Sequence, residues 1–216
     1  MPYTLLEIEA ASKALREGGA VIYPTETFYG IGCNALNPDA IGGVYALKRR
    51  PYGLPLPVIV GEISQVHTVA KHIFPAAQRL MDTFWPGPLS IIFPATPEVP
   101  DLLTAGTGCI AVRLSPHPAT VALCCASGLV LTSSSANISG RPPAMKRDEL
   151  DPELADGVAG IYDSLPLPSG GLPSTIVDVL PRGGEEGVLR ILREGVVSAQ
   201  ALRDAGFVVI ETVQAG

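Results

Sequence analysis

The stretch Tyr23-Pro-Thr-Glu-Thr-Phe-Tyr-Gly-Ile-Gly32, followed sixteen residues later by Lys48-Arg-Arg-Pro51, decides the reading of this chain. An apolar run over 20–23 reads as a strand that stops at a proline. The turn after it presents two hydroxyls, Thr25 and Thr27, around the carboxylate of Glu26, and two glycines follow. Asn37-Pro-Asp39 has the form of a helix start, with Asn as N-cap and Pro at the first helical position. That helix runs to about Lys48, where consecutive cations and Pro51 end it. Strand, turn and helix in succession build an α/β sheet, and ligands bind at the strand ends of such sheets.

The same alternation continues outward. Helical spacing covers 5–17, closed by Gly18-Gly19, then 75–85, stopped by Pro86-Gly-Pro88, then 117–126 and 198–205, the last with a Ser198 cap. Strands are expected at 56–60, 89–93, 110–114, 129–132, 174–179, 188–192 and 207–210. Residues 133–143 read as a Ser/Gly/Pro loop, 166–173 as a second loop, and 183–187 as a Gly/Glu turn. Several strands follow one another through loops alone, so the sheet is expected to be twisted and mixed, with flanking helices. No internal repeat or linker divides the chain, and residues 1–216 read as one domain.

A chain of 216 residues, 47% hydrophobic and 17% charged, buries a core without metals or disulfides. The longest weakly polar stretch, 119–131, is too short to span a bilayer, and Met1-Pro-Tyr-Thr4 has no basic leader. Cys33, Cys109, Cys124 and Cys125 form no C-x-x-C pair and read as structural free thiols, with Cys124 and Cys125 as buried small hydrophobes. A reducing, cytoplasmic location follows from that reading. The formal charge of -6 and the pI near 5.0 argue against a nucleic-acid coat protein. Contiguous cations on an acidic body suit a small anionic ligand.

The candidate site residues each have a plainer reading beside the functional one. Thr25 and Thr27 sit at a strand end, where hydroxyls also satisfy turns. Lys48 and Arg50 do not share a face of a regular helix, but Pro51 turns Arg50 out, so that a guanidinium fork and a point charge can meet a phosphate. Cations there also complement the helix dipole. Ser133-Ser-Ser-Ala-Asn-Ile-Ser-Gly140 offers hydroxyls, an amide and backbone N–H groups to an anion, or is a generic polar loop. Arg113 lies inside the apolar run 110–114 and needs a buried partner or a wet cleft. Arg193 repeats that pattern more weakly. His67 and His72 are five apart, not the four of a helical metal pair. The P-loop, the dinucleotide fingerprint and the Gly-x-Ser-x-Gly elbow are all absent from the sequence.

Taken in order, Tyr23–Gly32, Lys48–Pro51, Trp85-Pro-Gly-Pro-Leu-Ser90, Ala111-Val-Arg113, Ser135-Ala-Asn-Ile-Ser-Gly140, Ser174-Thr-Ile-Val-Asp178 and Leu192-Arg-Glu-Gly195 resemble the YrdC-like family of threonylcarbamoyl-AMP synthases. The resemblance covers about residues 15–196, in the short stand-alone form. It implies a YrdC-like α/β fold with a positively charged concave cleft. It implies the synthesis of threonylcarbamoyl-adenylate from L-threonine, bicarbonate or CO2 and ATP, with release of pyrophosphate. The product feeds the t6A modification at position 37 of tRNA through downstream threonylcarbamoyl transferase proteins, and a weak direct tRNA contact is compatible with the cleft.

The resemblance also implies roles. Lys48 and Arg50 match the family's Lys-x-Arg pair and hold the triphosphate at the reacting centre. Ser135 and Asn137 match its Ser-x-Asn pair and hold the nucleotide. Thr25, Thr27 and Arg113 hold threonine, Arg113 forking its carboxylate. Ser174 and Arg193 close the site, Ser174 toward threonine and Arg193 toward ATP. Mg2+ enters with ATP, since the sequence shows no dedicated carboxylate cluster. The chain departs from the family at Leu54-Pro-Leu56 and Ile59, where longer relatives often carry Asn-Pro-Leu and a His. It also departs at Ser134 in place of Thr and Glu194 in place of Pro.

Three competing readings are weighed. An RNA-binding module would use the positive cleft directly, and the acidic pI and absence of aromatic stacking motifs count against it. Carbamoyl-adenylate chemistry of the hydrogenase-maturation type belongs to much longer chains with zinc-finger and acylphosphatase segments. A degenerate structural homologue would not be expected to keep both Lys48 and Arg50.

Overall fold

In the computed structural model, which describes residues 3–180 and 187–211, the chain builds two mixed sheets that meet at one seam. The elements in order are α1 (Ile8–Arg16), β1 (Val21–Pro24), β2 (Tyr29–Gly32), α2 (Pro38–Lys48), β3 (Val58–Val60), α3 (Val66–Val69), α4 (Pro75–Phe84), β4 (Leu89–Pro94), α5 (Asp101–Thr104) and β5 (Cys109–Leu114). They continue through α6 (Pro118–Ser127), β6 (Leu131–Thr132), β7 (Ser134–Ser135), α7 (Pro152–Asp156), β8 (Gly160–Ile161), β9 (Thr175–Leu180), β10 (Val188–Arg193), α8 (Ala199–Asp204) and β11 (Val208–Glu211). The expected turn at 183–187 lies outside the described residues except for Gly187, as do Met1 and Pro2.

The smaller sheet has the order β7-β2-β1-β8 and the larger β11-β10-β9-β4-β5-β3-β6. Both mix parallel and antiparallel pairs: β1 runs antiparallel to β2 and parallel to β8, and β4 antiparallel to β5 and parallel to β9. The expected mixed sheet is therefore present but divided. The seam is Cys33 against Thr132. Thr132 N donates to Cys33 O at 2.9 Å, Cys33 N to Thr132 Oγ1 at 3.0 Å, and the buried Tyr23 hydroxyl to Thr132 O at 3.0 Å.

Two expected loops are strands. Tyr29–Gly32 pairs along all of β1, and Ser134–Ser135 adds to its far edge. Gly30 and Gly32 are poor strand formers, but the Tyr23 ring covers them. A Cβ at Gly32 would lie 2.4 Å from Thr132 O and 2.8 Å from that ring. The expected helices are present apart from frayed ends, and three short helices, α3, α5 and α7, lie where the sequence pattern shows none.

The local signals act as expected on α2. The Asn37 side chain accepts from Asp39 N at 3.0 Å and Ala40 N at 3.1 Å, and Pro38 occupies the first turn. Arg49 ends the helix in the left-handed region, φ 49°. The larger core joins Tyr29, Ile41, Val44, Leu80, Phe93 and Leu189, and a second cluster packs Ala11 and Leu15 of α1 on Leu123 of α6 and Val21 of β1. Each such aliphatic side chain contributes roughly 1.5–3 kcal/mol by burial. Cys33 and Cys124 are buried free thiols, and burial pushes Cys33 up to about 11. Cys125 corrects the expectation for its pair: it faces out because its neighbour on α6 takes the inward position. Among the described residues no helix is long and apolar enough to cross a membrane.

His117 caps α6. Its Nδ1 accepts from Ala119 N at 3.2 Å, so Nε2 carries the proton and donates to Pro166 O at 2.7 Å. A second proton would destroy the cap, and burial holds the imidazole below its usual 6.5. The unfolded chain therefore takes up this proton at higher pH than the folded chain. Stability should be full above about pH 6.5 and decline as pH falls below it. Melting curves between pH 7.5 and pH 5 are expected to show this slope, and His117→Asn, also a good cap, to flatten it.

Candidate active-site cleft

A cleft of about 210 Å³ opens between the two sheets beside their seam. The smaller sheet and its β1–β2 turn contribute Thr25, Thr27, Tyr29, Gly30, Ser134 and Ser135. The larger sheet contributes Ser90, Arg113, Ile176 and Arg193, and the loop before β9 adds Ser174. Arg50 and Pro55 close one side. Of the residues chosen from sequence, Thr25, Thr27, Arg50, Arg113, Ser135, Ser174 and Arg193 converge here although they come from segments far apart in the chain.

Lys48 and Asn137 are placed one step behind. Lys48 is 2% exposed, and its ammonium donates to Ser135 O at 2.5 Å and Asn137 O at 2.6 Å. The C-terminal end of α2 thus pins the 135–139 loop, a link that Ser139 N to Lys48 O at 2.9 Å repeats. Burial, then the nearby Arg50 charge, brings this ammonium down to about 8. Asn137 Oδ1 accepts from Ser135 Oγ at 2.5 Å, and its amide nitrogen donates to Arg141 O at 2.5 Å. Both residues shape the wall that Ser135 presents to the cleft.

Arg50 leaves the helix as Pro51 requires. Its guanidinium donates to Leu54 O at 3.2 Å and Pro55 O at 2.9 Å, which fixes it while leaving its charge without a carboxylate among the described residues. Arg193 donates to Ser174 O at 2.8 Å and to Ser174 Oγ at 3.1 Å, and Ser174 Oγ lies 3.3 Å from Ser90 Oγ. Burial and the charge of Arg50 both lower the Arg193 guanidinium. A guanidinium lowered by the charge of another calls for an anion near both.

Arg113, 5% exposed, has the buried partner its sequence context demanded: Nη1 donates to Glu26 Oε1. Burial and the Arg193 charge bring it to about 10, so it remains a cation at neutral pH. The Thr25 hydroxyl is spent on the turn, donating to Phe28 O at 2.7 Å. Among the described residues Thr27 Oγ1 has Thr25 Oγ1 as its one hydrogen-bond partner, at 3.3 Å, which leaves it hydrogen-bonding capacity toward the cleft. Sequence reasoning missed Ser90 as a lining residue. The alternation of Leu89-Ser-Ile-Ile-Phe93 puts Ser90 on the face opposite Leu89 and Ile91, the signal that would have found it.

The departures find places as well. Leu56 and Ile59 are fully buried, Ile59 among Ala11, Leu15 and Leu123 behind the sheet. Ser134 lines the cleft, and Glu194 Oε1 accepts from Ala199 N at 2.8 Å at the start of α8. Gly195 follows, where a Cβ would stand 2.0 Å from Pro173 O. Gly195→Ala should therefore push the end of β10, with Arg193, off Ser174. Melting curves should record a loss of about 1–3 kcal/mol, with weaker anion binding in the same protein.

The cleft of this two-sheet α/β protein holds fixed guanidiniums and hydroxyls, groups that suit a small phosphate- or carboxylate-bearing ligand. Comparison places it more closely. The Sua5/YciO/YrdC family model, described as "Telomere recombination", matches residues 13–195, and the chain belongs to this family. It is 37% identical over 179 residues to the threonylcarbamoyl-AMP synthase of Xylella fastidiosa strain 9a5c, covering 81% of this chain and 94% of that one. It is 39% identical over 172 residues to the threonylcarbamoyl-AMP synthase of Bacillus subtilis strain 168, covering 79% of this chain and 49% of that one. The chain thus spans about half the length of the Bacillus relative. The structure of P. abyssi Sua5 complexed with L-threonine superposes with a TM-score of 0.82 at 28% identity, over 96% of this chain and 61% of that one. E. coli YciO superposes with a TM-score of 0.77 at 25% identity, over 90% and 92% of the two chains.

Proposed function

We propose that this protein makes threonylcarbamoyl-adenylate from L-threonine, bicarbonate or CO2 and ATP, releasing pyrophosphate, as a cytoplasmic nucleotidyltransferase that supplies tRNA t6A modification. The observation that carries the reading is the convergence of Arg50, Arg113, Arg193, Ser135, Ser174 and Thr27 on one cleft from six separate segments. The names of its relatives support the same substrate.

The chemistry needs two anions held together more than it needs a covalent catalyst. The threonine amine adds to CO2 and loses a proton, giving a carbamate. A carbamate oxygen attacks the α-phosphorus of ATP, the bond to the β-phosphate bridging oxygen breaks, and pyrophosphate leaves. In the proposed complex Arg113 holds the threonine carboxylate and Thr27 orients the substrate. Arg50 and Arg193 take the phosphates, where fixed guanidiniums stabilise the charge that develops on the leaving group. Ser135 contacts the nucleotide, and Lys48 and Asn137 hold the loop that presents it. Ser174 anchors Arg193 and faces the amino acid.

Mg2+ fits this arrangement as a companion of ATP. Among the described residues no group of three His, Cys, Asp or Glu side chains stands ready to bind it, so the ion would be carried on the triphosphate oxygens and water. An RNA-binding module is less well supported, because Arg49, Arg141 and Arg147 are paired with Glu153, Asp151 and Asp163. The test is mass spectrometry of the reaction run in 13C-bicarbonate. A 13C-labelled threonylcarbamoyl-adenylate is expected, and its absence when all substrates are present would refute the assignment.

A further inference from the structure

The carboxylate of Glu26 has no role in the mechanism above, yet it is the hub of a polar network that joins three segments. Its Oε1 accepts from Arg113 Nη1, and its Oε2 accepts from Ser115 Oγ at 2.7 Å. Ser115 Oγ accepts in turn from His117 N at 3.1 Å. The backbone of the same residue is clamped from the other side. Glu26 O accepts from Ser169 Oγ at 2.7 Å and from Ser169 N at 3.2 Å, and Thr27 O accepts from Gly170 N at 2.8 Å. His117 Nε2 holds the near end of that strap through Pro166 O. Glu26 is thus fixed by the end of β5, by the start of α6 and by the 166–170 strap. The Arg113–Glu26 side chains are 7% and 18% exposed.

We propose that Glu26 is the positioning residue for Arg113 in amino-acid recognition. It takes one guanidinium nitrogen and leaves the rest of the planar fork facing the cleft that Arg113 lines. An arginine has five donors in a rigid plane, so fixing one edge aims the other. The counter-charge also keeps this cation buried without a ligand, where an unpaired guanidinium would be driven outward. Because Thr27 is the next residue in the chain, the strap that clamps Glu26 sets the hydroxyl and the guanidinium together. Two of the groups assigned to the amino acid therefore answer to one anchor. Among the described residues the hydrogen bonds of that anchor do not reach Arg50 or Ser135, so its loss should fall on the amino acid and spare the nucleotide.

This inference rests on the reading of the cleft as a threonine site, and the experiment separates the two. L-Threonine is titrated calorimetrically into wild type, Glu26→Ala, Glu26→Gln and Ser115→Ala, with melting curves for each, and the KM for ATP is measured alongside. Glu26→Ala should raise the threonine Kd on the order of tenfold, the value of one hydrogen bond to a charged group. Ser115→Ala should raise it less and in the same direction, and the KM for ATP should stay where it was. Unchanged or tighter threonine binding in a folded Glu26→Ala protein overturns the proposal, tighter binding meaning that Glu26 only competes for Arg113. Equal losses for threonine and ATP also overturn it, by showing a merely structural role. If Glu26→Ala does not fold, Glu26→Gln and Ser115→Ala decide by the same criteria. Wild type that takes up no L-threonine removes the threonine reading together with the proposal, whereas wild-type binding with indifferent variants removes the proposal alone.

Discussion

Lys48→Ala is expected to abolish adenylate formation and to weaken the fold at once, and the combination identifies what this lysine does. Its ammonium is buried and serves two backbone carbonyls on the 135–139 loop. Truncation takes the ammonium from both carbonyls, leaving Ser135 O with only Asn137 N among the described donors, in a largely buried site. The loss should be about 2–4 kcal/mol of stability, since hydrogen bonds to charged groups are worth about 1.5–3 kcal/mol and a cavity adds to that. With the loop unpinned, turnover should fall at least about a hundredfold. Arg50→Ala provides the contrast. Arg50 is partly exposed and donates to the nearby Leu54 and Pro55 carbonyls. Its removal should leave the melting temperature nearly unchanged, within about 0.5 kcal/mol, and still cost about a hundredfold in turnover through lost phosphate contact. Differential scanning calorimetry beside pyrophosphate-release rates distinguishes the two residues. A Lys48→Ala protein as stable as wild type would show that the loop does not depend on the ammonium.

Arg113→Ala has the second large effect, and it comes from the partner left behind. Glu26 would keep a carboxylate in a mostly buried site with Ser115 as its remaining side-chain donor. Breaking a buried pair from one side costs about 3–5 kcal/mol. The catalytic efficiency toward L-threonine should drop on the order of a hundredfold with the carboxylate fork gone. Adding Glu26→Gln to Arg113→Ala should restore a measurable part of the stability, because the orphaned charge is removed, and none of the threonine use. Thermal melts of the two proteins with threonine-dependent kinetics check both halves. Full stability in Arg113→Ala would mean that the pair is not buried in solution.

Most of the cleft is legible in the sequence. Arg113 announced itself as a cation in an apolar strand, and Arg50 as a cation forced out of a helix by Pro51. Chemistry that local rules forbid is visible in one dimension. The order of the strands was not visible, because pairing is a nonlocal matter. Nothing near Tyr29–Gly32 says that these residues form a strand, since two of the four are glycines and the cause is the Tyr23 ring lying over them. The same holds for Ser134–Ser135, whose partner is more than a hundred residues earlier. Lys48 was read as a ligand contact from its motif, and only the packing of α2 on the 135–139 loop reveals the carbonyls it serves. Glu26 and Ser90 were passed over for opposite reasons. Glu26 sits in a polar turn where a carboxylate looks ordinary. Ser90 sits in an apolar run where a serine looks incidental, yet strand alternation turns it to the cleft.

The central claim is that one cleft joins threonine, bicarbonate and ATP. The most direct measurement is pyrophosphate release from ATP by the purified protein, with L-threonine and bicarbonate supplied together, singly and not at all. The account predicts release that requires both co-substrates and falls about a hundredfold in Arg50→Ala. Release that ignores threonine, or no release with all three present, would contradict it.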